Sequence, residues 1–466
     1  MKEINNYFVE VLLELRKTRG VAFMFMPKSL SFYQLCVALY YEVAHHKERD
    51  MFIINAMVSE LVSNGLLRHN PVTYYTYELE DFVIHDVYLT TSDNNTFSHG
   101  TSTDKNEAYA KAFGEVFERT SIRHNPGEGI LLSSESLLKE RGVPHISLSM
   151  FGKPTELQKK NLEEAVFNGD TMFSWGNVVS LKDGKEYRVP AQTIFLSNAR
   201  TYPHEKMITE SSSHGAGAGY TKEQALASGI YEIINRHFFL KSWYHGRVPP
   251  RIMIESLPVG SKIARLAKNL ENRGFIIHLL DYTKEAGVPS VICILERYGG
   301  WSCGGTAGVS IDRAIERAMI EAMSTYLWYV EKMVQGGNPS QAQEMRSVKS
   351  GFIDTEYGAA GRRVLFYNHQ YYVQSTVNSK RMIAGDFISY SKEYDVPQTY
   401  KADVHACNLF GDGFYYQSSR NYLSDYNFFG VKVVIPNSYY FSLDEKDSRP
   451  VLDGTYPQNL EMNPFP

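Results

Sequence analysis

Four glutamates, Glu115, Glu118, Glu232 and Glu321, stand in helix-forming stretches among small residues, and their surroundings recur three times along the chain. Each copy has a glycine, then Ser or Thr, an acidic residue and Ala, and then a helix that carries the carboxylate. The first runs from Gly100 through Asp104 and Ala108 to Glu115, Glu118 and Arg119. The second runs from Gly219 through Thr221, Gln224 and Ala225 to Glu232, Asn235 and Arg236, and the third from Gly308 through Ser310 and Ala314 to Arg317 and Glu321. Carboxylates brought together stay ionised only if cations compensate them. Several Glu oxygens with positions left for phosphate suit Mg2+, and Arg119, Arg236 or Arg317 can bind phosphate oxygens or neutralise the acids. The chemistry these residues support is therefore a metal-bridged nucleoside triphosphate. Taken singly, they are also ordinary i, i+4 pairs on solvated helices: Glu115 with Arg119, Glu232 with Arg236, Arg317 with Glu321. The threefold recurrence favours the metal reading.

Each carboxylate needs a helix start to hold it. A hydroxyl residue is available as N-cap in every copy, and Thr221 with Gln224 has capping-box spacing. Residues three and four apart share a face, so Ala108, Ala112, Glu115 and Arg119 form one stripe. Ala225, Ser228, Glu232 and Arg236 form a second, and Ala314, Arg317, Ala318 and Glu321 a third. The bulky residues Phe113, Val116, Phe117, Leu226, Ile230, Ile233, Ile315, Met319 and Met323 lie elsewhere on these helices and are expected in the core. No GxxxxGK[ST] loop is present. The run His214 to Gly219 is glycine-rich, but its register does not fit a dinucleotide fingerprint. A close backbone approach beside the nucleotide is expected there.

Around these helices the chain reads as α+β. The first 75 residues form helices, over Tyr7 to Arg19, from Ser31 through Val43 and from Asp50 through Leu67, followed by a ribbon ending in Val72 to Glu78. That is the outline of a small winged-helix-like domain, for docking or, through strand addition, for peptide recognition. Strands are expected at Phe82 to Leu89, Met172 to Leu181, Tyr187 to Leu196, Gly274 to Leu280, Val288 to Glu296, Arg363 to Phe366 and Val431 to Ile435. Gly, Ser, Gln and Asn predict an exposed loop or lid over 335–362.

The 466 residues carry a net charge of -4 with 21% charged residues, so no basic excess points to nucleic acid. Four scattered cysteines form no CxxC pair and signal neither a zinc site nor a disulfide framework. No secretion signal or membrane span is read, and a reduced, cytoplasmic protein is expected.

From residue 80 to the C-terminus these segments resemble the YcaO family. Glu115-Val-Phe-Glu118-Arg119 matches its first ExxER block, and His214 through Arg236 matches a second of the form NGxAAGxTxEEAxxxxLxExxER. Ala314 through Ala322 matches AxxRAxxEA, with Trp175, Val189-Pro-Ala-Gln192, Asp281-Tyr-Thr283 and Pro289 between the blocks. The resemblance implies a YcaO-type ATP-binding fold over 80–466 that uses ATP and Mg2+. It implies a metal set of Glu115, Glu118, Glu232, Asn235 and Glu321, and ATP contacts from Arg119, Gly217, Tyr220, Arg236, Arg317 and Glu321. Asn235 departs from the family's second Glu, and His214 and Tyr220 replace commonly polar Asn positions. The terminus Met462-Asn-Pro464-Phe-Pro466 is similar to the proline-rich end of azoline-forming members, whose first proline it lacks. Glu115, Arg317, Pro464 and Pro466 are thereby expected in the catalytic centre. The implied reaction is cyclodehydration of Cys, Ser or Thr in a ribosomal precursor peptide after phosphorylation of the backbone amide oxygen. Implied partners are a ubiquitin-activating-enzyme-like leader-binding subunit and a flavin-dependent dehydrogenase. Thioamide or macroamidine formation, or a non-catalytic nucleotide-binding scaffold, are the alternatives.

Overall fold

The computed structural model describes residues 46–440 apart from 93–96, 124–128, 154–166, 197–204, 207, 210–211, 298–299, 337–376, 398–399, 419–422 and 424–425. The chain divides into two compact units, residues 1–57 and 58–466. The two helices expected before residue 45, the strand at 363–366, most of the 335–362 loop, and Pro464 with Pro466 lie outside the described residues. The third helix is α1, His46–Ser63, so Asp50 stands inside it rather than capping it. Gly65, at φ 71°, follows its end, a conformation glycine adopts without strain.

Strand β1 (Leu67–Glu78) is a single 12-residue strand with a register break between Leu67 and Val72. The expected ribbon is therefore not folded within itself. The His69-Asn70-Pro71 step is absorbed as an irregularity, and β1 pairs antiparallel with β2 (Val83–Thr91), which pairs with β3 (Phe97–Ser102). Two larger sheets follow. One contains β4 (Leu131–Ser134), β5 (Met172–Ser180), β7 (Ala216–Gly219), β13 (Phe414–Gln417) and β14 (Phe429–Val434) in the order β4-β5-β13-β14-β7, with β6 (Glu186–Pro190) paired to β5. The other contains β8 (Arg251–Ile252), β9 (Ile276–Asp281), β10 (Ser290–Arg297), β11 (Gly300–Ala307) and β12 (Phe387–Ile388) in the order β11-β10-β9-β8-β12. The strand expected over Tyr187 to Leu196 stops at Pro190 and turns into a short 3-10 segment, because proline supplies no N–H to continue the ladder.

Three strands at sheet edges, β3, β7 and β11, each lead into a long helix: α2 (Lys105–Ser121), α3 (Lys222–His245) and, after α4 (Lys262–Asn272), α5 (Ile311–Gly336). Each helix packs on its own strand and on the strand of the next unit, α2 on β7, α3 on β11 and α5 on β3, which closes a cycle. The apolar faces behave as their periodicity requires. Phe113, Val116, Phe117, Leu226, Ile230, Ile233, Ile315, Met319 and Met323 are all buried.

Candidate active site

The three repeated glutamates occupy the same place in their units. Glu115, Glu232 and Glu321 each stand ten residues after the first residue of their helix, Lys105, Lys222 and Ile311. An edge strand leaves backbone N–H groups without a neighbouring strand, and each glutamate accepts a backbone N–H from the edge strand of its unit or, for Glu232, from the turn just before it. The His99 N–H donates to Glu115 Oε2 at 2.5 Å, Gly215 N–H to Glu232 Oε2 at 2.7 Å, and Gly305 N–H to Glu321 Oε2 at 3.1 Å. The helix lies close enough to its strand for this because small residues face each other. A Cβ on Gly100 would stand 2.0 Å from the Ala108 carbonyl oxygen, and one on Gly217 2.2 Å from that of Ala225.

The helix starts are fixed less uniformly. Thr221 caps α3 as expected, accepting the Gln224 N–H. For α2 the cap is Asp104, which accepts from Asn106 and Glu107, and the Ile311 N–H of α5 donates at 2.7 Å to the remote carboxylate of Asp395. A carboxylate cap serves where a hydroxyl was expected because both offer an acceptor to the first free N–H groups.

The charges form one connected belt. Arg119 pairs with Glu115 at 2.6 Å and Arg236 with Glu232 at 2.9 Å. The His99 ring lies 3.6 Å from Glu115. Burial, reinforced by the charges of Glu232 and Glu115, raises the Glu118 carboxyl well above the usual carboxylate range, while Arg119 and Lys432 oppose the shift. Lys432 reaches in from β14 and donates to the Ser212 carbonyl at 2.7 Å; burial lowers it to about 8. The Glu321 side chain reaches solvent, yet the protein packed around it raises its carboxyl, against Lys111, the Gly305 N–H, Arg317 and Arg236. Lys111 donates to the Thr101 carbonyl at 2.9 Å and lies 3.5 Å from Glu107. His214, in the turn before β7, is fully buried, and neither ring nitrogen has a hydrogen-bond partner among the described residues. Burial first, then Arg236 and Lys432, hold it well below its usual pKa and therefore neutral.

Asn235 is committed by its amide nitrogen, which donates to Ser290 Oγ, the Val291 carbonyl and the Thr306 carbonyl. Only its Oδ1 remains without a partner among the described residues. Gly217 sits buried in β7, so its need for glycine comes from helix packing, and the run from Ala216 to Gly219 is a strand rather than a loop. Tyr220 is exposed, edge-on to Phe428 at 5.0 Å. Arg317 is exposed on α5. Lys432, Lys111 and His99 belong to the site although the sequence reading did not select them.

Among the described residues no three His, Cys, Asp or Glu side chains converge as a cage for an ion. Mg2+ typically keeps several waters and is held through one or two carboxylates together with phosphate oxygens. Of the residues brought together here, Glu118 and Glu232 could offer carboxylates to such an ion, and Arg119, Arg236, Arg317 and Lys111 could offer charge to phosphate.

Residues 99–395 match the protein family described as YcaO cyclodehydratase, ATP- and Mg2+-binding. The chain belongs to the YcaO family. Solved structures share its fold at low identity. A heterocyclase in complex with substrate and cofactor gives a TM-score of 0.62 at 17% identity over 82% of this chain and 52% of that one. The E. coli microcin synthetase McbBCD complex with pro-MccB17 bound gives 0.60 at 14% identity, covering 85% of this chain and 96% of that one. YcaO from Methanopyrus kandleri bound with AMPPCP and Mg2+ gives 0.54 at 14%, covering 87% and 95%. A protein of Methanothermobacter thermautotrophicus described only as uncharacterized is 23% identical over 203 residues, 42% of this chain and 47% of that protein. The chain thus spans about half the length of that curated relative and of the heterocyclase. No helix among the described residues is long and apolar enough to cross a membrane.

Proposed function

We propose that this YcaO chain is an ATP- and Mg2+-dependent peptide cyclodehydratase that converts Cys, Ser or Thr of a ribosomal precursor peptide to thiazoline or oxazoline. The observation that carries the reading is the set of three equivalent glutamates, each tied to a backbone N–H in, or just before, the edge strand of its unit and all joined by one belt of Arg and Lys. Bound ATP supplies the phosphoryl group that makes an amide oxygen a good leaving group. The chain's own residues then position and compensate. Glu118 and Glu232 hold the cation, Arg119, Arg236 and Arg317 orient phosphate oxygens, and the backbone tethers fix one oxygen of Glu115 and of Glu232 while the other pairs with its arginine. Preorganised charge of this kind is the main resource for phosphoryl transfer. The McbBCD neighbour, a synthetase complex with its peptide bound, supports partner subunits and a peptide substrate. Residues 1–75 serve in this reading as a docking or leader-recognition domain, and Pro464 and Pro466 as a terminal probe toward the site.

With the partner subunits and precursor present, phosphate release from ATP is expected only when the peptide is present, and the peptide loses the mass of one water per ring. A mass gain from sulfur replacing oxygen would move the assignment to thioamide formation. Phosphate release with no change in the peptide would remove the cyclodehydratase reading.

A further inference from the structure

The three glutamate helices are held at their starts in different ways. α2 and α3 are capped by the residue next to them, Asp104 and Thr221, but the first N–H of α5, on Ile311, donates to Asp395 at 2.7 Å. That carboxylate arrives on a segment that crosses from one glutamate helix to another. At its beginning α6 (Val377–Met382) packs on α3. Arg381 there donates to the Ser242 and Trp243 carbonyls at 3.2 and 3.0 Å, two of the acceptors that the last turn of α3 leaves open. The middle of the segment is fastened to β8. The Arg251 N–H donates to the Asp386 carbonyl at 2.8 Å and the Met253 N–H to the Ile388 carbonyl at 2.9 Å. At its end the segment holds the first turn of α5 by three side chains. The Tyr390 hydroxyl donates to Asp312 Oδ1, Lys392 pairs with Asp312 Oδ2 at 3.2 Å, and Asp395 takes the Ile311 N–H. The Val396 N–H then donates to the Val309 carbonyl at 3.0 Å.

These anchors bear on the site through what the two helices carry. α3 presents Glu232, and α5 presents Arg317 and Glu321. A cap from a neighbouring residue fixes only where a helix begins along its own chain. A cap brought on a segment rooted in α3 and β8 also fixes where α5 stands relative to α3. Glu321 is sensitive to that placement, because its tether to the Gly305 N–H, at 3.1 Å, is longer than the 2.5 and 2.7 Å of Glu115 and Glu232. A small displacement of α5 takes it beyond hydrogen-bond range.

We infer that Asp395 is a positioning residue for the nucleotide site: through the segment from Arg381 to Asp395 it holds Arg317 and Glu321 of α5 in place relative to Glu232 of α3. The inference rests on the proposed function for what the site binds, but concerns a carboxylate about 15 Å along the helix from Glu321.

The test uses the full chain, a non-hydrolysable ATP analogue with Mg2+, and amide exchange of the ligand-free protein. Asp395→Ala is expected to weaken the analogue about fivefold, the factor that corresponds to one lost helix cap. Exchange of the Gly305 N–H should quicken by a similar factor. Asp395→Asn keeps an acceptor and is expected to restore both. Ser261→Ala separates positioning from stability. Ser261 caps α4 by accepting the Ala264 N–H at 3.2 Å, and α4 carries none of the four glutamates. This variant should lose a comparable amount of stability with analogue affinity and Gly305 exchange unchanged. Arg381→Met, at the other anchor, is expected to weaken the analogue about threefold. Wild-type affinity and exchange in Asp395→Ala, equal losses in Ser261→Ala, or unaltered affinity in Arg381→Met would overturn the inference. If the analogue fails to bind the wild-type chain while Gly305 exchange still responds to Asp395→Ala, the positioning role stands and the nucleotide reading falls.

Discussion

Glu118→Gln is expected to cut turnover sharply while making the ligand-free protein more stable. Burial and the neighbouring charges of Glu232 and Glu115 raise the Glu118 carboxyl in the folded chain. The folded state therefore holds its proton more tightly than the unfolded state. Stability from this group is present at low pH and is lost as pH rises through the folded pKa, so at higher pH the group opposes folding. Glutamine removes that opposition. The gain should vanish below about pH 4, where the carboxyl is protonated in both states. Phosphate release should fall about 10²- to 10³-fold, the range seen when one preorganised electrostatic contact is removed. Thermal unfolding with and without nucleotide and Mg2+ checks both halves. Wild type should be stabilised by the ligands far more than the variant. A variant less stable than wild type at neutral pH, or one that keeps its turnover, would refute the account of Glu118.

Why the glutamates were visible in the sequence and their surroundings were not follows from what each residue's context signals. Glu115, Glu118, Glu232 and Glu321 share a helical phase with small residues, and a local pattern preserves that phase. Lys432 lies in Val431-Lys-Val433-Val434, which reads as a strand with one polar face. Yet β14 lies between β13 and β7 and is covered by α3, so its lysine is 2% exposed. A lysine amid a continuous apolar run was the signal available. Lys111 looks like any surface helix lysine, and only the cycle of units brings α2 beside α5. The strands Ala216–Gly219 and Gly300–Ala307 are nearly free of β-branched residues. Propensity is silent for them. They are strands because a helix presses on their backbones, a tertiary cause that no short window contains. Nothing local in the sequence signals that the Asn235 amide nitrogen ties α3 to β10 and β11, an arrangement that leaves its Oδ1 without a partner among the described residues.

The same cause predicts a large effect at Gly217. If the glycine is there for the nucleotide, alanine should leave a folded chain that binds ATP poorly. The packing argues otherwise. A Cβ at Gly217 would lie 2.2 Å from the Ala225 carbonyl oxygen and 2.8 Å from the Gly229 nitrogen, both backbone atoms that cannot swing aside as a side chain can. At Gly100 the corresponding distances are 2.0 Å to the Ala108 oxygen and 2.3 Å to the Ala112 nitrogen. Either alanine must push its helix off the strand, and with it the glutamate whose tether depends on that contact. We expect Gly217→Ala and Gly100→Ala each to cost about 3 kcal/mol or more, at the upper end of overpacking effects. Loss of soluble protein or a large drop in denaturation midpoint would report it. Gly308→Ala is the control. Nothing lies within 4 Å of a Cβ there, so stability should stay within about 0.5 kcal/mol of wild type. A Gly217→Ala chain with wild-type stability and lost nucleotide affinity would return this glycine to the phosphate-approach role, and would mean that the strand–helix contact does not set the position of Glu232.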